Sequence, residues 1–485
     1  MTRSRLVFKN GIILTVTSIG VGFIVMWFNA FLARRLGEEA MGLFSLMMSI
    51  YTFAITLAIS GVNLASTRLV AEEMAFGREK SARRSVKLCV FYSLFFSILS
   101  SIILILSANF LTTHFLLGKI SARPLITLAI SLPFVSISAV FNGYFNAMQQ
   151  GGRSAATTIF DQFARILICT YLVAVVFAES GIENLIFAVV LGTTIGEMLS
   201  VSFRLLLYIV KKKRLNNEGN INNSLFSRLL KIAVPVGASS YLKSALTTTK
   251  QTLVPINLIK FGMVSTVALA EYGIVQGMIL PLILFPTCFL FSFSQLLVPE
   301  ISGLNARHYN NRIKSVISRI FKTTCVFSIF VAAIFIAYAE PLAAWIFRRP
   351  EIAPMLRVFA FCIPITYFDV IVDSLLKGLD KQVAVVNINI IDSIFTICLI
   401  LTLIPKFGML GYIILFFASE IFNAMLSIWT LLKTTACHFD FINWVAKPII
   451  AAGIALLFHN VFLFIAVFFV ILFVTKALTR KDLTI

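Results

Sequence analysis

Apolar runs long enough to cross a bilayer recur from one end of this chain to the other, and a soluble fold could not bury them all. They fall near 11–33, 41–63, 86–109, 124–147, 155–177, 184–209, 230–257, 266–293, 318–339, 355–376, 383–404, 409–432, 443–459 and 461–478. A spanning helix needs about 20 mostly apolar residues. The pattern therefore predicts an all-α polytopic membrane protein with about fourteen transmembrane helices. The last two runs are short and separated only by His459–Asn460, so they form either two spans or a re-entrant pair. Arg3, Arg5 and Lys9 before the first run resemble the start of a signal peptide. The run itself, Gly11 to Ala33, is too long for one and lacks a small-residue cleavage site, so a retained first helix is expected.

Charge sets the expected orientation. The formal net charge of +20 invites a nucleic-acid reading, but the basic residues sit in short clusters between apolar runs. Examples are Arg78–Lys80–Arg83–Arg84–Lys87 and Lys211–Lys212–Lys213–Arg214, and loops on the cytoplasmic side of a membrane collect Lys and Arg in this way. Of the 41 Lys and Arg, 28 share a side with the N-terminus and 9 lie opposite; Arg165, Arg204, Lys243 and Lys250 fall inside helices. Both termini are therefore expected in the cytoplasm, and nucleic acid is not an expected partner. The seven cysteines form no CxxC and mostly lie in apolar runs, so neither a disulfide framework nor a zinc site is expected.

The chain also repeats itself weakly. Leu69–Val70 and Glu72 recur as Leu297–Val298 and Glu300, at a shift of 228. Pro133 and Asp161 recur as Pro364 and Asp392 at a shift of 231, and Met198–Leu199–Ser200 as Met425–Leu426–Ser427 at 227. A shift spanning six helices keeps both halves in one orientation, which predicts a parallel repeat about an axis along the membrane normal, an arrangement known in transporters. The expected parts are an N-lobe over 1–210, a cytoplasmic basic linker over 211–227, a C-lobe over 228–433 and a C-terminal helix pair over 434–485.

Three segments carry a family resemblance. YGIVQGMILPLILFPTCFLFSFSQLLVPEIS, from Tyr272 to Ser302, resembles the eighth helix and its exit in the stage V sporulation protein B group. That group belongs to the multidrug/oligosaccharidyl-lipid/polysaccharide exporter superfamily. FLARRLGEEAMGLFSL (Phe31–Leu46) is similar to the same family's first hairpin, and GVNLASTRLVAEE (Gly61–Glu73) to its second-helix exit. The resemblance covers essentially the whole chain. It implies a flippase of lipid-linked saccharides in the bacterial cytoplasmic membrane, with membrane lipids and glycosyltransferases of the same pathway as partners, acting as a monomer. Lipid II flippases of the superfamily carry arginines in the first helix, whereas Gly11 to Ala33 holds no charge. That departure favours a sporulation-type or exopolysaccharide-type relative.

Ionisable residues within membrane helices are costly and usually face a cavity or a partner. In the seventh run Ser240, Lys243, Ser244, Thr247, Lys250 and Gln251 follow helical spacing and share one face. Lys243 lies thirteen residues past Leu230, roughly 20 Å along the helix axis. The face is either a basic wall that receives a diphosphate or a pair of lysines neutralised by carboxylates on other helices. The second run carries Ser45, Ser49, Thr52, Thr56, Ser60 and Asn63 on one stripe, which either lines a cavity or permits close helix packing. Asp161 with Arg165, and Asp373 with Lys377, stand at i, i+4 and are expected to pair. Asp369, Asp392 and Glu420 have no local cation, so they are candidates for pairing with Lys243 or Lys250, or for coupling to ions.

No GxxxxGK[ST], HExxH or GxSxG motif is present, so no catalytic residues, metal or cofactor are expected. The reading is a flippase or exporter working by alternating access on an undecaprenyl-diphosphate-linked oligosaccharide or cell-wall precursor. The alternative is a multidrug cation antiporter of the same superfamily, whose chemistry wants membrane carboxylates. A polysaccharide polymerase or glycosyltransferase needs a larger outer loop than the one around Glu340–Pro354. The charge bias makes the linker side testable: with the native cysteines removed, Asn217→Cys should resist impermeant thiol reagents on intact cells. Labelling from outside would invert the whole orientation.

Overall fold

The computed structural model describes residues 3–148, 150–178, 180–212, 224–435, 437, 440–458 and 460–475. Residues 213–223 of the expected linker, together with His438 and His459, lie outside the described residues. Among the described residues there is no strand. The helices are α1 (Arg3–Leu36), α2 (Glu38–Ile59), α3 (Val62–Ala75), α4 (Glu79–His114), α5 (Arg123–Ala147), α6 (Gly151–Tyr171), α7 (Ile182–Lys212), α8 (Leu225–Lys260) and α9 (Ser265–Gly273). They continue as α10 (Leu280–Leu284), α11 (Thr287–Ala306), α12 (Asn310–Ala337), α13 (Ala339–Phe347), α14 (Ala353–Ala360), α15 (Ile363–Gly378), α16 (Gln382–Thr435), α17 (Lys447–Ala455) and α18 (Val461–Val474).

This is a polytopic all-α membrane protein. Among the described residues nine helices are long and apolar enough to cross a membrane, or ten when the bent pair Pro350–Ala360 and Ile363–Gly378 forms one span. Three features separate that count from the fourteen expected runs. The 54 residues of α16 hold two runs, broken at Gly408, whose φ of 57° and ψ of −129° are open to glycine and strained for other residues. The polar face of α8 keeps that helix out of an apolar count. The C-terminal helices Ile442–Ala455 and Val461–Val474 are shorter than the rest. Fourteen residues rise about 21 Å, against a hydrocarbon core of about 30 Å.

The helices gather into two compact units, Met1–Phe28 with Arg35–Gly273, and Asn29–Arg34 with Ile274–Ile485. The lobes expected from the sequence divide at the 211–227 linker, whereas these units divide after α9 and place α8 in the first. The physical reason is a shared core. Val62, Leu69, Cys89, Phe141, Tyr144 and Tyr208 of α3, α4, α5 and α7 pack together with Leu229 and Ala233 of α8. Hydroxyls tie the same helices: Ser66 donates to the Val140 carbonyl at 3.0 Å, and Ser101 to that of Ala129 at 2.8 Å. Such bonds glue membrane helices because lipid offers no competing partner.

Within the second unit, α12 forms the platform for the C-terminal pair. Val326, Ile329 and Ala333 meet Ala451, Ala452 and Ala455 of α17 and Phe464, Phe468 and Leu472 of α18. Arg34, at the end of α1, belongs to this unit. Its Nε donates to the Ile346 carbonyl and its Nη2 to that of Trp345, both at 2.6 Å, which satisfies the exposed carbonyl end of α13. None of the seven cysteines forms a disulfide among the described residues, and Cys89, Cys169, Cys325 and Cys362 are buried, as small apolar residues are.

Two glycines, Gly42 and Gly273, let α2 and α9 approach closely. A Cβ on Gly42 would stand 2.1 Å from the Leu269 carbonyl oxygen, and one on Gly273 2.1 Å from that of Glu38. Only hydrogen fits at either position. Gly42→Val should therefore lower thermal stability in detergent by at least the about 1–3 kcal/mol of ordinary overpacking. Gly20→Val, with nothing within 4 Å, should leave it unchanged. Equal stability of both variants would refute this contact.

Candidate functional site

Charge and hydrogen-bonding groups inside the membrane helices fall into distinct constellations, each held within one unit. The first is the polar face of α8, bracketed by Pro235 and Pro255 inside the helix. Ser240 and Thr247 bond back to their own helix, to the carbonyls of Val236 at 2.8 Å and Lys243 at 2.9 Å. Ser244 accepts from Thr56 of α2 at 3.2 Å, and Thr248 donates to the Ser49 carbonyl at 3.1 Å. Lys243 is exposed, while Lys250 and Gln251 are half-buried. Among the described residues of its unit, Lys243 makes no ion pair with a carboxylate.

The hydroxyl stripe of α2 divides between the two roles the sequence left open. Ser49 and Ser60 are buried, and Ser60 bonds to Tyr92 at 2.8 Å and to Tyr241 of α8, which is packing. Thr52 is exposed, with its proton directed to the Met48 carbonyl at 2.7 Å, so its oxygen can accept but not donate. Thr56 is half-buried and bridges to α8. Lys243, Thr52 and Thr56 thus lie on α8 and its neighbour α2, with the lysine supplying charge and the threonines acceptors.

A second constellation joins α6 and α7. Asp161 meets Arg165 at 3.9 Å, the expected i, i+4 pair, and also Arg204 at 3.7 Å. Arg204 is only 8% exposed, and Glu197 lies within electrostatic reach of all three. The approach is close because Gly196 faces the Arg165 backbone, where a Cβ would meet its Cα at 2.9 Å. The group carries two cations and two carboxylates, a balanced set that lowers the cost of burial. Reasoning from the sequence identified half of it. The missing signal was Glu197 and Arg204 seven residues apart, two helical turns along one face.

A third constellation, of carboxylates, lies in the second unit. Asp369 accepts from the Asn423 amide at 2.8 Å, Glu420 from Thr366 at 2.9 Å, and Asp392 from Ser419 at 2.8 Å. Asp373 pairs with Lys377 at 4.0 Å as the spacing predicted. Asp369, Asp392 and Glu420 thus find hydroxyl and amide donors on α15 and α16, which the i, i+4 rule does not reveal. Among the described residues no group of three His, Cys, Asp or Glu is arranged to hold a metal.

One further network lies where α3 ends and α8 begins. Arg228 Nη1 donates to Glu73 at 2.7 Å, and its Nη2 to Glu72; Arg78 stands 4.0 Å from Glu73. Glu73 is fully buried, so its charge depends on these guanidinium groups.

These helices define a class. Three-dimensional comparison finds the same fold in solved membrane proteins at low sequence identity. Similar solved structures include the lipid II flippase MurJ in an inward closed conformation, with a TM-score of 0.69 and 14% identity over 97% of this chain and 99% of that one. An inward-facing multidrug resistance transporter of the MATE family matches with a TM-score of 0.66 and 11% identity, over 87% and 98% of the two chains. The chain belongs to the polysaccharide biosynthesis protein family, whose models match residues 7–259 and 269–485. Among curated relatives, stage V sporulation protein B of Bacillus subtilis (strain 168) is 24% identical over 395 residues, covering 78% of this chain and 74% of that protein.

The Arg228 network generates a graded expectation. Arg228→Ala leaves the fully buried Glu73 carboxylate without its 2.7 Å partner and should cost about 3–5 kcal/mol of stability. Glu72, whose side chain is 47% exposed, should cost under about 1 kcal/mol when replaced by alanine. Thermal unfolding of the two variants in detergent checks the order, and an equal loss would contradict it.

Proposed function

We propose that this protein flips a lipid-linked saccharide, carried on undecaprenyl diphosphate, across the bacterial cytoplasmic membrane by alternating access. The observation that carries the reading is Lys243, a cation about 27 Å along α8 that is exposed and lacks a carboxylate partner among the described residues of its unit. A lysine at the centre of a membrane helix costs about 2.5–3.5 kcal/mol on insertion scales. A diphosphate headgroup supplies the opposite charge while it is bound. Thr52 and Thr56 offer acceptor oxygens to sugar hydroxyls, and Lys250, Ser240, Thr247 and Gln251 complete the α8 face. The kinship with polysaccharide biosynthesis proteins and the MurJ-like fold support the same substrate class.

In this reading the halves 1–210 and 228–433 act as repeated lobes, the termini lie in the cytoplasm, and pathway glycosyltransferases deliver the substrate. The carboxylates Asp369, Asp392 and Glu420 favour a second reading, antiport of organic cations, because such cargo needs membrane anions. The lysine separates the two.

A lysine that only balances a carboxylate can be neutralised together with its partner. One that binds a diphosphate cannot. Lys243→Gln should abolish flipping of a fluorescent lipid-linked saccharide in proteoliposomes while the protein remains folded, and adding Asp392→Asn or Glu420→Gln should not restore it. Lys243→Arg should keep partial activity, since charge persists while donor geometry changes. Full recovery in a neutral double variant would make the lysine structural and remove the basis of this proposal.

A further inference from the structure

A cleft of about 250 Å³ opens in the first unit between α2, α4 and α8. Phe53 and Leu57 of α2 and Leu104 and Leu111 of α4 form its apolar walls, with Phe115 just past the end of α4. Five hydroxyl side chains line it as well, and each directs its proton to a backbone carbonyl. Ser100 donates to Ala54 at 2.9 Å, Ser107 to Ile103 at 2.7 Å and Thr248 to Ser49 at 3.1 Å. Thr249 donates to Ala245 and Thr252 to Thr248, both at 2.9 Å. With their protons engaged, these hydroxyls leave the cleft acceptor oxygens but no free donor. A saccharide, whose hydroxyls require donors as well as acceptors, is poorly served here. A hydrocarbon chain is well served: an apolar cavity of about 150 Å³ already holds benzene.

One wall of the cleft is exposed at the surface of α4. Ile103 belongs to its wall and is 49% exposed, beside Leu106 at 80% and Phe110 at 56% on the outer face of α4. Its charge surroundings complete the description of an occupant. Lys260 ends α8, exposed, eight residues beyond Thr252 or about 12 Å along the axis. A cation about two helical turns beyond the cleft lining suits a lipid phosphate. We propose that one acyl chain of an anionic bilayer phospholipid lies in this cleft, with its phosphate at Lys260. The lipid fills the seam between α2, α4 and α8 independently of any transported cargo.

Phosphatidylglycerol carrying a diazirine in its acyl chain tests this in vesicles containing the full-length protein. Irradiation should label segments 50–57, 104–115 and 245–252, and filling the cleft with Ala245→Trp should remove most of that label. Lys260→Gln should reduce it by roughly fivefold, the factor for about 1 kcal/mol per lysine at an anionic surface. Because Lys260 is an exposed helix end, that variant decides even if the tryptophan variant fails to fold. Label confined to the outward residues Phe91 and Phe95 of α4 would overturn the cleft as a site. Equal labelling by a zwitterionic probe, unaffected by Lys260→Gln, would overturn the anionic headgroup. Displacement of the label by undecaprenyl phosphate would reassign the cleft to a polyprenyl chain and overturn the phospholipid.

Discussion

Every polar side chain in the hydrocarbon region needs a partner inside the protein, because lipid offers none. That requirement organises the structure. Hydroxyls bond to carbonyls of their own or adjacent helices, as Ser100 does to Ala54 and Thr248 to Ser49. Each interhelical bond of this kind fixes one contact between helices whose side chains would otherwise slide over one another. The grouping of α8 with α2 and α3 follows from it, since Thr56, Ser60 and Glu73 each reach a polar atom on α8.

The same requirement sorts the charges. Where cations and carboxylates occur together, as around Asp161, they approach neutrality within one group. Asp392 and Glu420 accept from the hydroxyls of Ser419 and Thr366. Lys243 follows neither rule among the described residues of its unit. In the proposed function its counter-charge arrives with the ligand, and that proposal rests on this residue.

Local chemistry was legible in the sequence and long-range chemistry was not. Run length alone identified an all-helical membrane protein, and the i, i+4 spacing identified Asp161–Arg165 and Asp373–Lys377. Arg204 escaped because it reaches Asp161 from another helix, and Arg228 because its partner Glu73 is 155 residues away. The α2 stripe read as one face, yet the backbone turns left-handed at Ser60 and Gly61, where hydroxyl packing replaces the exposed positions above. Helical periodicity assumes an unbroken helix, and the chain breaks at the point where that assumption mattered.

Reconstitution of the purified protein tests the central claim directly. Vesicles would carry a fluorescent undecaprenyl-diphosphate saccharide in both leaflets, and dithionite outside would bleach only the accessible half. A flippase makes the protected half accessible, so the account predicts bleaching well beyond that of protein-free vesicles, with no accumulation of an organic cation such as ethidium. Protection equal to that of protein-free vesicles, together with cation uptake, would contradict it.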